Sequence, residues 1–248
     1  MLKASNNLIK DIKKQKHENR YLLFLDNIKI IKDALKMGLK YKYLFLENDK
    51  LNIFDFQENV YLVDKKTIEQ LSDSKTPQGV VCVVEYIPNI LEKPKTNFLV
   101  IDGLQDPGNV GTLIRTATAC GFEYVFLLDS VHITNSKLIR SSVGTVFQNH
   151  IIEMPRENFI KQIKQWKFDL LKADMNGENI FKFNNSGILG VVVGNEGQGV
   201  SEELSLICKY SVSIPMLNNV ESLNASVSGS IIMLSLIHIS EPTRLRCI

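Results

Sequence analysis

The chain has 248 residues, 29 Lys+Arg against 27 Asp+Glu, four Cys, one Trp and 44% hydrophobic residues. That is enough apolar mass for one large domain or two small ones. No run approaches the ~18 consecutive apolar residues of a membrane helix, the start MLKASNNLIKDIKKQK lacks an apolar signal core, and Cys82, Cys120, Cys208 and Cys247 form no CxxC pair. A membrane protein, a disulfide scaffold, a zinc module and a disordered chain are therefore not expected, and a soluble cytosolic globular protein is.

The charge is unevenly spread. Residues 1–50 carry 12 Lys/Arg and six Asp/Glu, a balance of +6 that leaves −4 for the rest. Lys10, Lys13, Lys14, Lys16 and Arg20 fall within eleven positions. Such a run is either a solvated helix face or an electrostatic footprint for a polyanion, and charge alone does not choose between them.

In chain order, Leu8, Ile9 and Ile12 give an apolar stripe on a lysine-rich helix, and Tyr21–Leu25 reads as a strand. Asn27–Gly38 is a second helix, with Gly38 as its stop. Tyr41–Leu46 and Val60–Val63 read as strands, Lys65–Leu71 as a helix and Val80–Tyr86 as a β-branched strand. The aperiodic stretch Ile87–Asn97, with Pro88 and Pro94, reads as a linker. Beyond it, Phe98–Ile101, Tyr124–Leu128, Val146–Ile152, Leu170–Ala173 and Ile188–Val193 are short apolar runs without alternation, as in parallel strands buried on both faces. Helices fit between them at Thr112–Cys120, Ser136–Val143, Arg156–Trp166 and Ser201–Cys208, which predicts an open parallel sheet covered on both sides.

Three strand-to-loop-to-helix junctions carry the chemistry. In DGLQDPGNVGTLIRTATACGF, Pro107-Gly108 turns the chain, Asn109 can cap the next helix, and Val110, Ile114, Ala117 and Gly121 form its packed stripe. Arg115 points off that stripe, near the carboxyl end of a sheet, where α/β folds bind ligands. In GVVVGNEGQGVSEEL, Gly194, Gly197 and Gly199 let a ligand approach the backbone. No Lys-Ser/Thr follows, so this is not a phosphate-binding P-loop, and Glu196 suits a neutral or cationic ligand. In IPMLNNVESLNASVSGSIIM, Pro215 ends a strand and Asn218-Asn219 turns. Ser222 and Asn224 are loop ligands or caps, and Ala225, Ser226, Ser228, Gly229 and Ser230 open a closely packing helix. His17, His132 and His150 lack partners at catalytic spacing, and Phe147 and Trp166 read as core.

Together, the Asn109-to-Arg115 spacing, the GNEGQG loop and the SLNASVSGS block resemble the signature motifs of the SpoU/TrmH family of RNA ribose 2′-O-methyltransferases. The resemblance covers about Asn97 to Met233, and SDSKTPQGVVCVVEY resembles the family's interdomain region. It implies an α/β fold with a knotted, mostly parallel sheet and helices on both faces, preceded by a small ribosomal-protein-like α/β domain. The domains would then be an RNA substrate-binding domain at 1–90 and a methyltransferase domain at 97–233. The resemblance further implies S-adenosylmethionine as cofactor, held by Gly194, Ile214 and Leu223, with Asn109, Arg115, Glu196, Ser222 and Asn224 as catalytic-site residues. RNA contacts would come from Arg140 in SKLIRSSVGT and from Lys13, Lys14, Lys16 and Arg20. The implied assembly is a homodimer with no metal and no membrane partner, acting on RNA, above all large-subunit (23S) ribosomal RNA. The alternatives are a non-catalytic RNA-binding or ribosome-assembly factor on the same fold and a transfer-RNA enzyme.

The tail LSLIHISEPTRLRCI, Leu234 to Ile248, departs from the family. It has no helical stripe, and Pro242 would break a helix. LSLIHISEPTR resembles the translation of a transposase-type sequencing-library adapter, so residues 234–248 are expected to be an artefactual tail and are set aside for fold reasoning.

Overall fold

The lysine-rich start and the first four apolar runs build one sheet. Its strands are β1 (Leu2–Lys3), β2 (Leu22–Leu25), β3 (Tyr41–Leu46), β4 (Val60–Leu62) and β5 (Val80–Glu85), in the order β1-β4-β3-β5-β2. β1, β4 and β3 run parallel, while β5 is antiparallel to both β3 and β2. Helices α1 (Asn6–Glu18), α2 (Ile28–Lys36) and α3 (Lys65–Leu71) start at Ser5, Asn27 and Asp64, whose side chains each accept a backbone N–H of the first turn. Ile12 of α1 and Ile68 and Leu71 of α3 meet Leu22, Phe24, Phe45, Val81 and Val83 in one core. β1, only two residues long, offers no period to read. The computed structural model, which describes residues 2–54, 58–218 and 222–240, divides into two units between Pro88 and Asn89.

The proline-bearing stretch 89–97 belongs to the second unit. Asn89 donates to the Ile151 carbonyl at 3.3 Å, and the Lys93 ammonium sits 5.0 Å from the centre of the Phe168 ring. Side-chain contacts rather than periodic burial hold it, which is why its sequence carries no pattern.

The second unit is a six-stranded, wholly parallel sheet. Its strands are β6 (Phe98–Asp102), β7 (Tyr124–Leu128), β8 (His150–Met154), β9 (Asp169–Asn179), β10 (Leu189–Val193) and β11 (Tyr210–Ser213), in the order β11-β9-β10-β6-β7-β8. Its helices are α4 (Pro107–Ala119), α5 (Ser136–Ser141), α6 (Arg156–Trp166), α7 (Glu202–Ser205) and α8 (Ala225–Ser240). Phe98, Val100, Phe126 and Val192 pack with Phe159 and Ile163 of α6 and Leu204 of α7. Alternate residues point to the opposite face, where Val193 faces Gly229 of α8 and Leu113 of α4. The sheet is thus covered on both sides, and its strands read as unbroken apolar runs for that reason.

β9 runs six residues past the expected Ala173 and α7 is shorter than the expected Ser201–Cys208, and three further elements differ from the sequence reading. The strand expected at Val146–Ile152 begins only at His150. Val143 and Gly144 both take positive φ (53° and 82°), a tight turn over Thr145–Phe147 follows, and buried Asn149 spends its amide on the Phe122 carbonyl. Helix α4 starts five residues earlier than expected, because Asp106, not Asn109, is its cap and Pro107 fills its first turn. Its buried residues are Val110, Gly111, Leu113, Ile114 and Ala117, whereas Gly121 is exposed at φ 72° just after the helix. Finally, α8 continues to Ser240, into the segment set aside, with Leu236 only 7% exposed. The helix break expected at Pro242 lies outside the described residues, as do Asn219 and Cys247.

Candidate active site

The carboxyl ends of β10 and β11 and the middle of β9 open onto a cavity of about 680 Å³. One wall is the glycine loop after β10. It folds back on itself, with Asn195 and Gly199 exchanging two backbone hydrogen bonds of 3.0 and 2.8 Å. Gly194 is obligatory here, because a Cβ would lie 2.1–2.3 Å from the backbone of Gly199 and Val200. The facing wall comes from Ile214 and Met216 after β11 and from Ser222, Leu223 and Asn224 before α8. Ile232 and Val212 add apolar surface, and Lys172, Asp174 and Met175 of β9 close a third side. Lys172 is committed to Asp174 (2.9 Å) and to the Ser205 hydroxyl (2.7 Å). The Asn176 backbone N–H, with Lys172, holds the Asp174 carboxyl below the usual range.

Asn109 joins the three junctions. Freed from capping, its side chain reaches across the sheet: Nδ2 donates to Glu196 Oε1 of the glycine loop, and Oδ1 accepts from Asn224 Nδ2 (3.0 Å) and Ser226 Oγ (3.1 Å). Asn224 is itself the cap of α8, its Oδ1 accepting from the Ser226 N–H at 2.9 Å and the Ser226 hydroxyl at 2.6 Å. Below this tie α8 lies close against α4, since a Cβ on Gly229 would collide with Leu113 and Val193. The Ser230 and Thr116 hydroxyls meet at 2.9 Å. The small residues read from SVSGS therefore serve a helix crossing.

The structure brings Gly194, Glu196, Ile214, Ser222, Leu223 and Asn224 onto one cavity, with Asn109 tied to two of them. Arg115 is not in the wall. It stands on the exposed face of α4, and no described residue holds its guanidinium. Arg140 sits partly exposed on α5. In the first unit the expected RNA cations split. Lys14 and Arg20 are exposed, Arg20 lying over the Tyr21 ring at 5.2 Å. Lys13 donates to Gln70, while Lys16, its side chain 15% exposed, donates to the Leu71 carbonyl (2.6 Å) and Asp73 (2.7 Å). Lys16 is thus built into the end of α3 rather than held out for a partner.

Sequence reasoning missed Asp102, Arg156 and Asn195, which brace the loops, and the Lys172–Asp174 pair. The isolated polar residue ending an apolar strand, Asp102, was the available signal. His132 has a structural neighbour: Nε2 lies 3.0 Å from Glu153 Oε2, and Glu153 Oε1 accepts the Ile133 N–H. That pair fixes the loop before α5. Among the described residues no group of three His, Cys, Asp or Glu is placed to hold a metal, and no helix is long and apolar enough to cross a membrane.

A 23S rRNA (guanosine(2553)-2′-O)-methyltransferase, RlmP of Bacillus subtilis, is 29% identical over 93% of this chain and 96% of its own length. A TrmH family tRNA/rRNA methyltransferase of Staphylococcus saprophyticus is 30% identical over 82% of this chain and 84% of its own. Among solved structures, an AdoMet-bound rRNA methyltransferase from Sinorhizobium meliloti superposes with a TM-score of 0.81 at 23% identity, covering 96% of each chain. Residues 96–234 match the SpoU rRNA Methylase family, so the chain belongs to that family.

Proposed function

We propose that the protein transfers a methyl group from S-adenosylmethionine to a ribose 2′-hydroxyl of RNA, with 23S ribosomal RNA as substrate. The observation that carries this reading is the Asn109–Glu196–Asn224–Ser226 tie, which draws three strand-end loops around one cavity. The cavity fits the cofactor. Its volume lies in the range of small-molecule sites, Gly194 leaves backbone rather than side chain facing the ligand, and Ile214, Met216, Leu223 and Ile232 offer apolar surface to an adenine ring. With Asp174 and Glu196 against Lys172, the lining favours a cation. When bound, the cofactor supplies an electrophilic methyl on a sulfonium, and transfer makes a C–O bond as the C–S bond breaks and the hydroxyl proton leaves.

The chain's own part is alignment and charge. Fixing the reacting groups in attack geometry can supply several kcal/mol, and the hydrogen-bonded loops do that fixing. Arg115, exposed on α4 and held by no described residue, is available to clamp a phosphate and stabilise the forming oxyanion. A guanidinium stays protonated in proteins, which argues against a role as base. Lys14 and Arg20 give the first unit sequence-tolerant phosphate contacts, and Arg140 on α5 adds one in the second unit. The homodimer belongs to this reading, supported by Val227 of α8, which stays 46% exposed. So does a cytosolic location.

Incubating the full chain with methyl-labelled cofactor and unmodified 23S or transfer RNA tests the proposal. Label on a ribose of 23S RNA is expected. Label on a base, on transfer RNA alone, or none overturns it.

A further inference from the structure

The glycine loop is held at both ends by two consecutive residues, Asp102 and Gly103, to which the sequence reading assigned no role. Asp102, at the end of β6, has a side chain 1% exposed. One carboxylate oxygen accepts the backbone N–H of Ser201 at 2.7 Å, where the loop exits. The other accepts Arg156 Nε at 2.8 Å, and Arg156 also reaches Asp129 at 3.2 Å. Gly103 is next in the chain, and its carbonyl accepts Asn195 Nδ2 at 3.1 Å, where the loop enters. The same Asn195 side chain turns back to take the Gly197 N–H at 2.8 Å. Loop residues 196–198, by contrast, are exposed. The loop is therefore a solvent-facing arch whose two feet stand on Asp102 and Gly103.

A buried carboxylate is costly unless it is paired and hydrogen-bonded, and here both needs are met by groups that shape the loop. Arg156 neutralises Asp102 and joins it to Asp129, which itself takes a positive φ of 48° at the end of β7. We infer that Asp102 is a positioning residue for cofactor binding, with Arg156 as its counter-ion. It touches no cavity wall and acts through Ser201 and the arch. This inference rests on the methyltransferase reading for its ligand, but the clamp can be read without one.

The test uses Asp102→Ala, which removes the foot, and Asp102→Ala/Arg156→Gln, which also removes the arginine charge stranded by the first change. Two readouts are taken on the full chain: calorimetric binding of S-adenosylmethionine, and amide hydrogen exchange of residues 195–201 in ligand-free protein. The double variant should regain thermal stability relative to Asp102→Ala yet keep cofactor affinity at least tenfold below the parent. Its loop amides should exchange at least tenfold faster while those of β6 and β10 hold. Parent-like loop exchange in the double variant overturns the inference, as does parent-like affinity. If the parent itself binds no cofactor while loop exchange responds as stated, the methyltransferase reading fails and the clamp stands.

Discussion

Asn109→Asp is the sharpest perturbation of the site, because it changes one atom and reverses one interaction. The introduced carboxylate can still accept from Asn224 and Ser226 through one oxygen, as the asparagine oxygen does now. The other atom, today an N–H donor to Glu196, becomes a second carboxylate oxygen facing the Glu196 carboxylate. Two unit charges about 4 Å apart repel by ~1 kcal/mol in water and ~4 kcal/mol at an effective dielectric of about 20. Asn109 is half-buried and Glu196 exposed, so the lower part of that range applies, about 1–2 kcal/mol. A lost hydrogen bond to a charged group adds about 1.5 kcal/mol. The sum, about 3 kcal/mol, corresponds to roughly 100-fold weaker cofactor binding if the loops must be joined to bind.

The assay is calorimetric titration of S-adenosylmethionine at about pH 8, in low salt and again in high salt to screen the repulsion. Glu196→Gln in the same chain should restore the tie with its polarity reversed, the glutamine amide donating to the new carboxylate at position 109. Asn109→Asp/Glu196→Gln should then bind tenfold or more tighter than Asn109→Asp alone. If the two substitutions merely add, the tie does not shape the site, and the argument from it fails.

Gly194→Ala should abolish cofactor binding in calorimetry and lower the melting temperature, since the new Cβ meets backbone rather than a side chain that can move; a parent-like affinity would refute the close approach. Asp106→Ala should cost about 1 kcal/mol at about pH 7 by denaturant melts. The Gly108 N–H, helped by Lys137, holds the Asp106 carboxyl below its usual value. That stabilisation is complete above the unfolded pKa of ~3.9 and disappears as pH falls through the folded one, so parent and variant should converge in acid. Lys16→Ala should lower stability by about 1 kcal/mol, having lost bonds to Leu71 and Asp73. Lys14→Ala should leave stability unchanged but reduce the salt dependence of RNA binding by about one phosphate contact.

What was legible in the sequence was what local chemistry dictates. Apolar runs such as Phe98–Ile101 and Tyr124–Leu128 are strands because a sheet covered on both faces requires that composition. Gly194 stood out because close backbone approach tolerates no other residue. What escaped was set by partners distant in the chain. Asn109 resembles a cap, and only the fold shows that Asp106 takes that role and releases Asn109 to Glu196, 87 residues away. Asp102 and Arg156 are 54 residues apart, and neither has a local pattern. Lys16 looked like part of a basic face, yet its ammonium is consumed by the end of α3. Charge runs report composition, not which cation is spent.

The end of α8 bears on whether the chain as it stands can work. The contacts of α8 with the site come before Met233: Asn224 as cap, Ser226 on Asn109 and Ile232 on the cavity wall, with Gly229 against Leu113 and Ser230 on Thr116 behind them. Beyond Met233 the helix buries Leu236 and Ser235, 7% and 9% exposed, and the Ser235 hydroxyl donates to the Ile231 carbonyl at 2.8 Å. The segment LSLIHIS showed no stripe because a helix apolar on several sides has none to show. The SpoU match stops at residue 234. We read 234–248 as foreign sequence whose apolar first half happens to extend the helix, a reading that sequencing of the locus checks directly. Truncation after Met233 should then cost about 2 kcal/mol, the burial of one leucine, by denaturant melts. Cofactor affinity should stay within about threefold, since no site contact is removed. Loss of binding by a truncated chain that is still folded would place the tail in the function and refute its foreign origin.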